Sequence, residues 1–156
     1  VTPSLIRIDA DEVTYPAHII LRTQLERALL AEDLLPVDLP GAWNEKILQL
    51  LGVSPSNDSE GCLQDIHWYD GAWGYFPTYT LGAMAAAQIF KAAIDENPMI
   101  LGSIASGQFQ PLMTWLLRNI HAHGCFFSTQ DLLIRATGRK LDPEAFKSHL
   151  HERYLS

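Results

Sequence analysis

An all-α fold is predicted for this chain of 156 residues, and three observations predict it. Apolar side chains recur every three or four residues over most of the sequence, which is the period of an α-helix. Proline, glycine or asparagine stands where these periodic segments end. The alternation of apolar and polar residues that is typical of β-strands is not found. We therefore expect one helical domain over residues 1–156, a length sufficient for a single hydrophobic core.

Two helices are predicted in the first third of the sequence. The first covers residues 15–32 and ends before Pro36, because the residue preceding a proline is disfavoured in the α conformation. The second covers residues 39–51, with Gly52 in the position after its C-terminus. In the first helix the apolar face is assigned to Ile19, Ile20, Leu25, Ala28 and Leu29, and the polar set includes Arg22, Gln24, Glu26 and Arg27.

A loop rich in glycine and aromatic residues is predicted over about residues 61–80. Polar, turn-forming residues at positions 53–60 precede it. An alanine-rich helix over residues 81–96 follows it and is ended by Asn97-Pro98. Large rings beside glycines indicate an ordered loop that packs against the rest of the protein.

Shorter helices are predicted in the last third of the chain. One covers residues 111–121. Another begins at a capping box, Ser-Thr-Gln-Asp at residues 128–131, and ends at Gly138. The last begins with an N-cap, an N1 proline and an acidic first turn at residues 142–144, and it extends through Tyr154.

The composition excludes several classes of protein. With 18 acidic and 11 basic side chains the net charge is −7, and no block of Lys or Arg occurs, so neither nucleic acid nor a membrane is an expected partner. No apolar run reaches the roughly 18–20 residues that span a bilayer, and the first residues do not form a signal peptide. The two cysteines, Cys62 and Cys125, are typical of reduced thiols, so a cytoplasmic location is expected.

A metal site built from the six histidines is not expected. A zinc-peptidase helix places two histidines four residues apart, with a glutamate after the first, so that both imidazoles reach one ion. No histidine here has another at that spacing. The pairs His121/His123 and His149/His151 are two residues apart, and on a helix such side chains point about 200° away from each other. We interpret both pairs as surface or cap residues.

Residues 6–11, with the sequence Ile-Arg-Ile-Asp-Ala-Asp, allow two interpretations. They are an acidic helix entry, with Asp11 or Thr14 as a cap and Arg7 in a surface ion pair, or they are part of a binding site. Sequence pattern alone leaves both open.

Residues 61–68, with the sequence Gly-Cys-Leu-Gln-Asp-Ile-His-Trp, also allow two interpretations. They form a turn in which Asp65 holds His67 and Trp68 packs inward, or a polar cluster that binds a substrate terminus or a polarised carbonyl. Residues 74–82 add a phenol, Tyr79, at the start of a helix.

These segments resemble the signature motifs of the M32 metallocarboxypeptidases, the thermostable carboxypeptidase Taq family. Residues 6–11 fit Ile-Arg-x-x-Ala-Asp, and residues 61–68 fit Gly-x-x-Gln-Asp-x-His-Trp. Residues 15–22, 74–82 and 146–154 are similar to the family as well, so the resemblance extends over essentially the whole chain. It implies a mostly helical, saddle-like zinc-peptidase fold. It also implies an enzyme that removes C-terminal residues from peptides with a divalent metal, zinc or cobalt.

The resemblance implies roles for five residues. Arg7 is expected to bind the terminal carboxylate of the peptide substrate, since a planar guanidinium recognises a carboxylate bidentately. Gln64 and Asp65 are expected to line the substrate-binding pocket. His67 would line it as well and orient the substrate, and Tyr79 would donate a hydrogen bond to the developing oxyanion. Tyr79 and His67 are thus the predicted catalytic residues.

The sequence departs from the family in its metal ligands. The His-Glu-x-x-His helix and the glutamate of a His-Glu-Ser motif, which hold the metal in the family, do not occur in these 156 residues. We expect the chain to be the C-terminal portion of such a carboxypeptidase, to bind no metal and to be inactive alone. Apolar surface exposed by the loss of the preceding part predicts self-association, for example as a homodimer. The alternative is a truncated paralogue that serves as a non-catalytic helical module for dimerisation or peptide binding.

Overall fold

The computed structural model describes residues 1–155, and within that range it contains α-helices and no β-strand. The all-α prediction is therefore confirmed. No helix in this range combines the length and the apolar character that are required to span a bilayer. The helices are α1 (Tyr15–Leu30), α2 (Leu39–Leu51), α3 (Pro77–Glu96), α4 (Met99–Ala105), α5 (Gln110–Asn119), α6 (Thr129–Thr137) and α7 (Glu144–Tyr154), with short 3₁₀ helices at Arg7–Asp9, Pro36–Asp38 and His121–His123.

The helix ends form where capping residues predict them. Gly52 follows α2 with a φ of 70°, a left-handed conformation that glycine adopts without strain. The hydroxyl of Ser128 accepts a hydrogen bond from the N–H of Asp131 at 3.2 Å at the start of α6. The carboxylate of Asp142 accepts one from the N–H of Glu144 at 3.0 Å at the start of α7. Local side-chain chemistry therefore determines these boundaries.

Two helices differ from the prediction by more than the shifts of one or two residues at the ends of α1 and α5. α3 begins at Pro77 and not at residue 81, so Tyr79 lies in its first turn. A proline is well suited to the first helical position because its missing N–H has no partner there to lose. α4 has no counterpart among the predicted helices, because its 7 residues make fewer than two turns and show little periodic pattern. We refer to the segment that precedes α3, residues 61–76, as the aromatic loop.

The chain divides into two compact units, Val1–Leu81 and Gly82–Ser156, each with its own hydrophobic core. Both motif segments belong to the first unit. Its buried core residues are Leu21, Leu25, Trp43, Ile47, Leu51 and Cys62. The second unit is centred on Ala93, Ile100 and Trp115.

Two polar side chains of α1 are buried, although the periodic pattern of the sequence places them outside the apolar face. Arg22 is 0% exposed and Glu26 is 4% exposed, whereas Ile20, assigned to the apolar face, is 46% exposed. The prediction is therefore wrong for these three residues. The physical reason is that the aromatic loop supplies hydrogen-bonding partners for both Arg22 and Glu26, so that these two side chains are hydrogen-bonded when they are buried.

Candidate functional site

Asp65 accepts charged hydrogen bonds from two arginines that come from separate parts of the sequence. Arg7, from the first 3₁₀ helix, donates from Nη2 to Oδ1 at 2.7 Å and from Nε to Oδ1 at 3.0 Å. Arg22, from the middle of α1, donates from Nε to Oδ2 at 2.6 Å. Arg7 is 7% exposed and Arg22 is fully buried, so water cannot replace the carboxylate as their partner. Asp65 therefore joins the first 3₁₀ helix, α1 and the aromatic loop.

Gln64 connects the same elements through its uncharged side-chain amide. Its Oε1 accepts a hydrogen bond from the backbone N–H of Arg7 at 3.0 Å and another from Nη2 of Arg22 at 2.8 Å. Its amide nitrogen donates to the carbonyl oxygens of Leu5, Glu60 and Gly61. The hydrogen-bonding capacity of this amide is thus used within the protein. In this geometry Gln64 orients the two arginines, and its role in lining a substrate pocket stays a prediction.

The charges of this cluster stabilise one another. Burial disfavours the ionised form of Asp65, but the bonds from Arg7 and Arg22 outweigh it and hold the pKa of Asp65 below its usual range. Burial lowers the pKa of Arg22 to about 10, which leaves this guanidinium charged at neutral pH. Burial of Arg7 acts in the same direction, but its bonds to Asp65 and Tyr15 more than offset that effect and raise its pKa. Two positive charges and one negative charge leave the ion-paired set with one positive charge in excess.

The guanidinium of Arg7 has two edges that can bind a carboxylate, and Asp65 occupies only the edge formed by Nε and Nη2. At the other edge Nη1 donates to the hydroxyl of Tyr15 at 2.9 Å. The ring centroid of Tyr79 lies 5.0 Å from the guanidinium carbon. Within residues 1–155 Asp65 is the one carboxylate at ion-pair distance from Arg7. Of the five N–H groups of this guanidinium, three donate to Asp65 or Tyr15, which leaves two N–H groups for a further acceptor.

His67 and Tyr79 are hydrogen-bonded to each other. Nε2 of His67 lies 2.9 Å from the hydroxyl of Tyr79, and the imidazole packs on the ring of Phe76 at a centroid distance of 4.4 Å. Nδ1 of His67 lies 3.8 Å from Asp65, which is longer than a hydrogen bond, and it is buried without a partner in the described part of the chain. Burial raises the pKa of the Tyr79 phenol. His67 is thus held by Tyr79 and Phe76 and not by Asp65.

The five residues assigned to the site from the sequence meet in one cluster, but not all in the expected way. Arg7 is buried, so its interpretation as part of a surface ion pair is wrong. Asp11 caps the turn before α1, where its Oδ1 accepts the N–H of Thr14 at 2.8 Å. Asp11 is therefore a cap, as the first interpretation predicts, and the assignment of residues 6–11 to a binding site stays a prediction.

Four residues of the cluster are missing from the prediction, and all of them lie on α1. They are Tyr15, His18, Arg22 and Glu26. The last three follow one another at intervals of four residues, which places them on one face of the helix, and this spacing is a signal that the sequence contains. The signal does not by itself separate a buried polar face from a solvated one. That distinction requires the knowledge that the aromatic loop packs there.

The described residues do not fit a metal centre. Within residues 1–155 no group of three or more His, Cys, Asp or Glu side chains is arranged to hold a metal ion. The oxygens of Asp65 are bonded to arginines, and Nε2 of His67 is bonded to Tyr79. A divalent metal of the kind that the resemblance implies would therefore need ligands from outside these residues.

Comparisons with known proteins agree with the motif-based prediction. The sequence profile of the family described as Carboxypeptidase Taq (M32) metallopeptidase matches residues 1–154. The chain is 46% identical over 156 residues to Thermostable carboxypeptidase 1 of Thermus thermophilus, a match that covers 100% of this chain and 31% of the relative. It is 40% identical over 152 residues to Carboxypeptidase 1 of Bacillus subtilis, covering 97% of this chain and 30% of the relative.

The fold of this chain also matches part of a solved structure. Metallocarboxypeptidase 1 of Trypanosoma cruzi matches with a TM-score of 0.96 at 43% identity, over 100% of this chain and 33% of that protein. The chain thus spans about a third of the length of the relatives that it matches. Because the family profile covers nearly every residue, both motif segments included, this chain belongs to the M32 family, the carboxypeptidase Taq metallopeptidases.

Proposed function

We propose that this chain forms the substrate-carboxylate side of the active site of a metal-dependent carboxypeptidase that removes C-terminal residues from peptides. The geometry of Arg7 carries the proposal, because Asp65 and Tyr15 accept from three of its five N–H groups and two remain for the carboxylate of a substrate. The excess positive charge of the set formed by Arg7, Arg22 and Asp65 favours an anionic ligand. Relatives that carry the name carboxypeptidase support the same class of reaction.

Tyr79 and His67 act as a pair in this proposal. When Nε2 of His67 carries a proton, it donates to the oxygen of Tyr79, and the phenolic O–H is then free to donate to the developing oxyanion. When Nε2 carries no proton, Tyr79 donates to it and has no proton left for the substrate. His67 thereby determines whether Tyr79 is a donor toward the reacting carbonyl.

Replacement of Arg7 by alanine in the full-length protein is expected to lower kcat/KM on peptides with a free C-terminal carboxylate by about 10- to 100-fold. This corresponds to the loss of a charge-assisted hydrogen bond worth about 1.5–3 kcal/mol. The measurement compares each peptide with its C-terminally amidated form, on which a much smaller loss is expected. Arg139→Ala, at an exposed arginine of the other unit, is the control. Equal loss on both forms would refute the role of Arg7 in carboxylate binding.

The 156-residue chain alone is expected to bind no zinc at micromolar concentrations and to hydrolyse no peptide. The reason is that its described residues do not bring together three metal-ligating side chains. Isothermal titration with zinc, together with chromatographic assay of released amino acids, checks both expectations. Tight binding of one zinc ion per chain would contradict the expectation that the metal ligands lie outside these residues. Peptide binding without hydrolysis, in a coding frame that contains no upstream His-Glu-x-x-His helix, would favour the non-catalytic module instead.

Self-association and a cytoplasmic location complete the proposal. Exposed apolar side chains on α5, Met113 and Leu117, together with Phe109 just before it, are suited to contact with another surface. Cys62 and Cys125 are free thiols, which supports a reducing compartment.

A further inference from the structure

Glu26 is a buried carboxylate that binds the aromatic loop at two points. Its Oε2 accepts the indole N–H of Trp68 at 2.7 Å, and its Oε1 accepts the backbone N–H of Gly74. No Lys or Arg in residues 1–155 lies at ion-pair distance from it. Removal of a carboxylate from water is costly unless its oxygens are hydrogen-bonded, so both donors are needed to stabilise this arrangement.

Each of the two attachment points is adjacent in sequence to His67 or to a residue whose ring packs on it. Trp68 directly follows His67, and Gly74 directly precedes Tyr75 and Phe76. The rings of Tyr75 and Phe76 lie 5.8 and 4.4 Å from the imidazole. Both attachment points are therefore adjacent to residues that contact or directly follow the imidazole.

The second attachment point also precedes α3, whose first turn carries Tyr79. Gly74 has a φ of 80°, a backbone conformation that residues with a side chain rarely adopt. Glycine is therefore the residue that fits the position whose N–H bonds to Glu26. Within the loop, Trp68 and Trp73 stack at a centroid distance of 5.7 Å. The segment between the two attachment points therefore packs on itself as well as on Glu26.

We propose that Glu26 is a positioning residue that sets the hydrogen bond between His67 and Tyr79. From α1 its carboxylate fixes the loop that carries His67 and the start of the helix that carries Tyr79. Its effect on peptide hydrolysis rests on the proposed function. Its effect on the geometry of the histidine and the tyrosine does not.

Glu26→Gln tests the proposal without a change in side-chain volume. A glutamine has one acceptor oxygen, so its NH₂ group faces one of the two donors, and one attachment is lost. In the ¹⁵N NMR spectrum of the 156-residue chain, the Nε2 signal of His67 is expected to move toward its position in Tyr79→Phe, where the hydrogen bond is absent. In the full-length protein, kcat is expected to fall about 10- to 100-fold with little change in KM, because reacting groups are displaced.

Glu96→Gln is the matched control. In the other unit Glu96 accepts the indole N–H of Trp115 at 2.6 Å and a bond from Arg118, so glutamine at this position also turns its NH₂ group toward one of two donors. This variant is expected to leave both the His67 signal and kcat unchanged. Trp68→Phe is the second test variant, since it removes one donor and keeps an aromatic ring. It is expected to move the His67 signal in the same direction.

The outcomes separate this inference from the proposed function. A His67 signal at the wild-type position in folded Glu26→Gln and Trp68→Phe would overturn the positioning role. Loss of folding in both variants would assign Glu26 to stability alone and would also overturn it. A displaced His67 signal, combined with no peptide hydrolysis by the wild-type full-length protein, would support the positioning role and refute the proposed function.

Discussion

Replacement of Asp65 by asparagine is expected to lower the free energy of unfolding by about 3–5 kcal/mol. The carboxylate is the counter-ion of Arg7 at 2.7 Å and of Arg22 at 2.6 Å. Asparagine would leave two buried positive charges side by side, and its NH₂ group would face donors. Urea unfolding followed by tryptophan fluorescence measures the change, because three of the four tryptophans lie in the same unit as Asp65.

Asp95→Asn is the control for this prediction. Asp95 pairs with Lys91 at 2.8 Å, but both side chains are largely exposed to solvent. The free energy of unfolding is expected to fall by less than about 1 kcal/mol in this variant, because water screens an exposed ion pair and solvates the remaining charge. A loss of similar size for Asp65→Asn would mean that the arginines find other partners and that Asp65 does not hold the cluster together.

The free energy of unfolding is expected to fall by roughly 3 kcal/mol between pH 6.5 and pH 4 through His18. Burial lowers the pKa of folded His18 to about 4, and the adjacent charge of Arg22 acts in the same direction. The unfolded chain has the ordinary value of 6.5, so in this interval the unfolded state binds a proton that the folded state does not. The stabilisation is complete above pH 6.5, is lost progressively as the pH falls to about 4, and changes no further below it.

His18→Gln is expected to remove this part of the pH dependence, whereas His121→Gln, at an exposed histidine, is expected to retain it. Asp65 contributes to the pH dependence of the free energy of unfolding at lower pH. Because its folded pKa lies below the ordinary value of 3.8, its stabilisation is lost as the pH falls through that lower folded value. The pKa values of Glu60 and Glu96 also lie below the ordinary value of 4.5, so these groups begin to contribute near pH 4. The difference between the wild-type protein and His18→Gln in urea unfolding at pH steps from 4 to 7 therefore isolates His18. If the free energy of unfolding of His18→Gln depends on pH as steeply as that of the wild-type protein, His18 is not the group responsible.

The helices of this chain follow from local sequence to a large extent. Ser128 and Gly52 act on backbone groups within four residues of themselves, so their effect is readable without a tertiary structure. The start of α3 is the exception, because Tyr79 and the aromatic residues before it do not follow the apolar period. Pro77 is the local signal for the correct boundary.

The site is predictable only where its residues stand in short motifs. Arg7, Gln64 and Asp65 belong to such motifs, and the structure brings them together. Arg22 and Glu26 carry no motif of comparable specificity, and helical periodicity assigns them to the polar set of α1. Their burial depends on contacts with residues more than 40 positions away in the chain, which periodicity does not encode.

The sequence by itself determined the all-α fold class, most helix ends, the family and five residues of the cluster. The tertiary structure decided how those residues are bonded: Asp65 meets Arg22 across 43 positions and Arg7 across 58. It also decided that Glu26 binds the aromatic loop and that His67 pairs with Tyr79. The physical reason is that a charge is stable in a protein interior only beside its partners, and these partners become neighbours only when the chain folds.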